Sequence, residues 1–152
     1  MPLQQMEKSF GPLEESLLTS YELSWDIRLP DEYRQFLLTY NGGRPIPCEF
    51  NFKGQDSGSA IDGFLGLGGG KNYDLLKTIK LFQGRLPARF FPVACDQGGN
   101  QICLSVSGPD SGKVYFWNHE FEADERYGDN PETADNITLI ADSFNEFLNG
   151  LF

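Results

Sequence analysis

The sequence predicts an α+β fold. Apolar residues recur at helical spacing near both ends of the chain, two apolar runs in the middle flank a glycine pair as in a β-hairpin, and no internal repeat is visible. The chain has 152 residues, is 39% hydrophobic and carries 13 Phe. That is apolar material for one core, so the expectation is a single domain over residues 1–152, with 1–11 a flexible or short helical lead-in. This much aromatic content excludes intrinsic disorder.

The elements follow in order. Gly11-Pro12 opens a helix whose stripe is Leu13, Leu17, Leu18, Tyr21 and Trp25. Pro30 suits the first turn of a second helix, where its missing N–H costs nothing, and Asp31 and Glu32 complement the positive helix end. Tyr33, Phe36, Leu37 and Tyr40 form its apolar face, and Asn41-Gly42-Gly43 stops it. A strand is expected at Cys48–Phe52. Residues 53–71 read as a long irregular segment, and Tyr73–Phe82 as a short helix.

Phe90–Val106 reads as a hairpin. With Gly98-Gly99 at the centre of a tight turn, Cys95 faces Ile102, Val93 faces Leu104, and Phe91 faces Val106, all on one apolar side. That register leaves Cys95 and Cys103 on opposite faces and Gln101 on the polar side. A third strand over Lys113–Trp117 alternates Val114 and Phe116 against Tyr115 and Trp117. Phe121–Asn136 reads as an acidic loop, Ile137–Ile140 as a short strand, and Ser143 with Glu146 as the capping box of a terminal helix.

The net charge is -10, and most of it is local. Between Glu120 and Glu146 nine acids stand against Arg126 alone, a net of -8. This stretch is either a solvated loop or a surface for a basic partner. A basic run, Lys71, Lys77, Lys80, Arg85 and Arg89, would weaken the second reading if it paired with the acids internally. An acidic chain is a poor partner for phosphate backbones, so direct nucleic-acid binding is not expected. No run of ~18 apolar residues suggests a membrane span. Met1–Gln5 lacks the marks of a secretory signal, so the expected location is cytoplasmic.

Catalytic and metal motifs fail one by one. Three cysteines without a Cys-x-x-Cys pair, and one histidine, do not make a zinc site, so free thiols and no metal are expected. The glycine run Gly66–Lys71 has Leu65 and Asn72 where a phosphate loop needs Gly and Ser or Thr. No nucleophile signature accompanies His119. The expectation is a chain with no cofactor that is not an enzyme.

Four segments in order resemble one family. Leu29-Pro30-Asp31-Glu32-Tyr33-Arg34-Gln35-Phe36-Leu37, leading to Tyr40-Asn41-Gly42-Gly43 and preceded by Glu22, resembles the opening of the SUKH superfamily. The hairpin from Phe91 to Leu104, the strand Gly112–Glu120 and the helix Ile140–Leu148 resemble its later parts. The resemblance implies a mixed, mostly antiparallel central sheet with helices packed against it. It implies a role without catalysis. Most bacterial members of the family resemble immunity proteins that bind and neutralise a cognate polymorphic or contact-dependent toxin; a fungal branch regulates cell-wall assembly and glucan synthesis. The first role fits this chain better, with a regulatory or scaffold domain as the alternative. On that reading the partner is a basic protein toxin, a nuclease among the candidates. The expected contact residues are Tyr115, Trp117, Glu120, Phe121, Glu122, Asp124, Glu125 and Asp129.

Overall fold

In chain order the elements are β1 (Gln5–Glu7), α1 (Glu15–Trp25), α2 (Asp31–Tyr40), β2 (Arg44–Ile46), β3 (Glu49–Asn51), β4 (Gly58–Phe64), α3 (Leu75–Phe82), β5 (Phe90–Asp96), β6 (Gln101–Ser105), β7 (Val114–Trp117), β8 (Ile137–Ala141) and α4 (Phe144–Asn149). The computed structural model describes residues 3–69 and 72–152. The end of the glycine run and Lys71 of the basic run lie outside the described residues. Strands β3 to β8 form one six-stranded sheet in sequence order, each pair antiparallel, and β1 pairs with β2 beside it. The fold is α+β, as the periodicities predict.

The sheet is apolar on both faces. One face carries Phe64, Ile102, Leu104, Val114 and Phe116 under Leu18 of α1, Tyr33, Phe36 and Leu37 of α2, and Phe144 and Phe147 of α4. Its rings meet edge-on or tilted: Phe36 lies 4.7 Å from Phe64 and 5.0 Å from Phe144, and Tyr33 lies 5.2 Å from Phe144. The other face carries Phe90, Cys103 and Trp117 under Phe82 and Leu86. The alternation read in the third strand is therefore correct, and each of its faces has a core. The sheet also curls. The Lys53 N–H donates to the Leu139 carbonyl at 3.0 Å, and Phe52 packs 5.2 Å from Phe116, so the two edges approach each other.

Several local expectations are corrected. The lead-in is a strand, since Gln5–Glu7 pairs with Arg44–Ile46 and Leu3 is buried. The segment 53–71 is not wholly irregular: β4 sits inside the sheet between β3 and β5. Gly58 and Gly63 mask it, because small residues lower strand propensity. Gly63 is required where it stands, since a Cβ there would meet the Tyr73 ring at 2.5 Å. Leu17, expected on the buried stripe of α1, is exposed.

The hairpin register also differs. The turn has three residues, Gln97–Gly99, with the Asp96 N–H donating to the Asn100 carbonyl. The Asp96 carboxylate sets this turn by accepting from the Gly98 and Asn100 N–H groups, the Asn100 amide and the Ser59 hydroxyl. A bulge at Val93 then shifts the ladder again, so Phe91 faces Leu104, Ala94 faces Ile102, and Cys95 faces Gln101. Cys95 and Cys103 therefore share a face, yet all three thiols are free. Gln101 is only 4% exposed and its side-chain carbonyl has no partner among the described residues.

Polar side chains lock the helices. Glu22 is 8% exposed. It accepts from the Leu29 N–H at 3.0 Å and from Arg34 Nε at 2.9 Å, and Arg34 goes on to Glu15 and Thr19. Glu32 of α2 accepts from the Asn145 N–H in the first turn of α4. Asn41, left-handed at the end of α2, pairs its amide with both backbone groups of Leu67. Gly43 follows at φ +124°, where a Cβ would strike the Glu7 carbonyl at 2.7 Å.

Glu22→Ala is expected to cost about 3–5 kcal/mol, because it takes the buried acceptor from both Arg34 Nε and the Leu29 N–H and leaves Arg34 only its exposed partner Glu15 as counter-charge. Glu15→Ala, at the exposed end of the same network, should cost no more than about 1 kcal/mol in urea unfolding. Similar losses at both would place the strength outside the buried carboxylate. Leu104→Ala should cost about 2–5 kcal/mol through lost burial and a cavity. Gln97→Ala at the exposed turn should stay within about 0.5 kcal/mol.

Candidate functional site

The acidic segment is an ordered strap with two single turns of 3-10 helix, His119–Phe121 and Glu125–Tyr127. Its ends are clamped together. The Asn118 N–H donates to the Asn136 carbonyl, and the Asn136 amide donates back to the Asn118 carbonyl. The His119 ring contacts the Gly98 carbonyl at 2.6 Å, and the His119 backbone N–H donates to Asn100 Oδ1 at 3.0 Å, so the histidine docks the strap on the hairpin tip.

Its middle is stapled to the connector between α3 and β5. Glu122 takes both ends of the Arg85 guanidinium, at 2.8 and 3.0 Å. That guanidinium lies over the Phe82 ring at 4.5 Å and the Trp117 ring at 5.9 Å, and its hydrogen bond to Glu122 raises its pKa above the usual arginine value. Glu132 accepts from the Ala88 N–H at 2.7 Å and pairs with Arg89 at 3.1 Å. The basic run does pair with the acids at Arg85 and Arg89.

The expected contact residues divide accordingly. Trp117 is 1% exposed beneath Phe82 and Arg85, which removes it from any surface in this conformation. Tyr115 stacks 5.0 Å from Phe90 and donates to Asp110, so it too is part of the packing. Glu122 is held by Arg85, and Asp124 by Arg126, whose hydrogen bond keeps the Asp124 carboxyl below its ordinary range. Glu120, Glu125 and Asp129 are exposed and carry no ion pair among the described residues, as does Asp135. Phe121 is 68% exposed, and Tyr127, which hydropathy periodicity inside a loop does not single out, is 80% exposed.

Beside the strap lies an apolar cleft of about 680 Å³ between the ends of α1 and α3, strand β5 and the turn Asn130–Glu132. Its walls come from distant segments, so no sequence window contains it. Among the described residues no three His, Cys, Asp or Glu side chains gather in a metal-binding group. Burial pushes the Cys95 thiol up to about 11 and also raises Cys103, which disfavours the thiolate at both.

Asp110 ties the strap's neighbourhood to the sheet, joining Ser105, Tyr115 and Arg89. Burial pushes its carboxyl up, but hydrogen bonds from Ser105, Tyr115 and Arg89 outweigh this and hold it below the ordinary value. A depressed folded pKa gives stability that is present above the unfolded value of about 4 and lost as pH falls through the folded one. Asp110→Asn should therefore be less stable at neutral pH, with the gap to the unchanged protein closing below about pH 4 in urea titrations. A gap independent of pH would show that the charge is not what matters.

The family model described as the SMI1 / KNR4 family (SUKH-1) matches residues 12–150. The chain is also similar to the SPbeta prophage-derived uncharacterized protein YokK of Bacillus subtilis (strain 168), at 30% identity over 149 residues, which covers 86% of this chain and 70% of that protein. No helix among the described residues is long and apolar enough to cross a membrane.

Proposed function

The chain belongs to the SMI1/KNR4 family (SUKH-1), and from that premise we propose that it is an immunity protein. On this reading it acts in the cytoplasm without catalysis, binding a cognate basic toxin and covering the site that the toxin uses. A relative of prophage origin accords with this role. The observation that supports it is the set of carboxylates without an ion pair among the described residues: Glu120, Glu125 and Asp135, with Asp129 accepting only the Asp124 N–H, stand exposed on the same ordered strap as Phe121 and Tyr127. Carboxylates held in this way can occupy a cleft built for phosphate, so a nuclease is the favoured partner class. Exposed aromatics supply the anchors that carry most interface energy.

The test is co-expression with the candidate toxin domain encoded beside its gene, scored by growth and co-purification. Rescue and a stable complex support the reading; a toxic, folded domain that is neither bound nor neutralised overturns it. Electrostatic steering raises association rates by about 10–1000-fold and weakens with salt. Glu120→Lys with Glu125→Lys should slow association and flatten its salt dependence, while Phe121→Ala or Tyr127→Ala should speed dissociation. Charge reversal at Glu122 is not an equivalent experiment, because it would break the Arg85 staple as well.

A further inference from the structure

The cleft beside the strap is open, and its chemistry is sorted by depth. Trp25, Ile79, Phe82, Leu86, Phe91 and Val106 contribute apolar wall. The polar lining residues Ser24, Gln83, Asn130 and Glu132 are exposed, so they belong to its rim. Small-molecule sites place a few convergent polar groups to orient the ligand inside the pocket. An apolar floor with a polar rim is instead the anatomy of a protein interface.

The rim is also charged on one side. Asn130, Pro131 and Glu132 of the strap form one lip, and that lip continues into Asp129, Glu125 and exposed Tyr127. Glu132 is spent on Ala88 and Arg89, whereas Asp129 and Glu125 have no ion pair among the described residues. The strap segment that forms this lip thus carries exposed carboxylates next to the cleft along the chain, a complement for positive charge on an incoming segment.

We infer that this cleft is the anchor pocket of the binding surface, and that its occupant is an aromatic or aliphatic side chain carried on a basic segment of a polypeptide partner. The inference rests on the reading that the acidic strap meets a basic protein. It adds the place where the apolar part of that contact is buried.

The probe is a synthetic peptide, Arg-Lys-Leu-Trp-Leu-Lys-Arg, titrated into the full chain and followed by backbone amide shifts. Two controls replace its centre with three alanines or its flanks with Glu and Asp. Shifts should centre on Trp25, Ile79 and Leu86, and each control peptide should bind at least about tenfold more weakly. Ser24→Trp and Ala88→Trp fill the cleft from two exposed rim positions. Each should weaken binding by at least about tenfold with the melting temperature unchanged. Shifts elsewhere, or no saturable binding, overturn the inference. Equal binding of the acid-flanked peptide also overturns it, in favour of a pocket for apolar ligands. So does self-association that the two Trp variants abolish, in favour of a second copy of this chain. If both Trp variants still neutralise the toxin, the cleft assignment fails and the immunity reading stands. If the peptide docks as expected but no toxin is neutralised, the immunity reading fails and the pocket stands.

Discussion

A sheet that is apolar on both faces must be covered on both, and this constraint organises the molecule. Helices α1, α2 and α4 cover one face with a continuous array of rings. The second face has Phe82 of α3 and Leu86 just after it, and the strap is joined to them through Arg85. Trp117 is the largest side chain there, and it is closed by Phe82 at 5.5 Å and by the Arg85 guanidinium. The Arg85 cation, half-buried against these rings, is paired in bidentate form by Glu122 of the strap. Covering the second face thus brings the acidic segment against it at this point. The fold and the candidate interface are coupled partly through this arginine, beside the Asn118–Asn136 clamp, the His119 dock and the Glu132 contacts.

The residues that carry the family resemblance serve the backbone. Glu22 satisfies the N–H at the entry to α2, Glu32 does the same for α4, and Asn41 replaces a missing strand partner for Leu67. None of these side chains points into the cleft. The polar groups that define the fold are spent internally, and the loops the scaffold presents are left free of that task.

What was legible in the sequence follows from the range of the signal. Helical stripes and the Val114–Trp117 alternation are local, and Tyr33, Phe36, Val114 and Phe116 fall where periodicity puts them. The hairpin was legible as a hairpin but its register was not. The apolar sorting of Phe91 to Val106 assumes an unbroken ladder, whereas Asp96 lengthens the turn and Val93 bulges. Strand β4 was lost because its glycines are explained only by Phe50 and Tyr73, which lie elsewhere in the chain. Trp117 looked like an exposed anchor because its cover, Phe82 and Arg85, is more than thirty residues away. The acidic charge block was visible from composition; which of its members remain unpaired depends on Arg85 and Arg89, and so on the fold.

The same pairing bears on how the strap can recognise a partner. Its ion pairs are partly exposed, with side-chain exposures of 38% and 30% for Arg85 and Glu122, and such pairs contribute only about 0–1 kcal/mol each. No single staple therefore holds it. Order comes from several weak ties acting together: the Asn118–Asn136 clamp, the His119 dock, the two arginine staples and the turn caps at Asp124 and Asn118. Immobilising a flexible loop on binding costs affinity, and a strap already ordered avoids most of that cost. A weakly stapled strap can nonetheless adjust by small local shifts without unfolding the core beneath it. Preorganised charge with limited local give is a physical basis for tight binding to one partner.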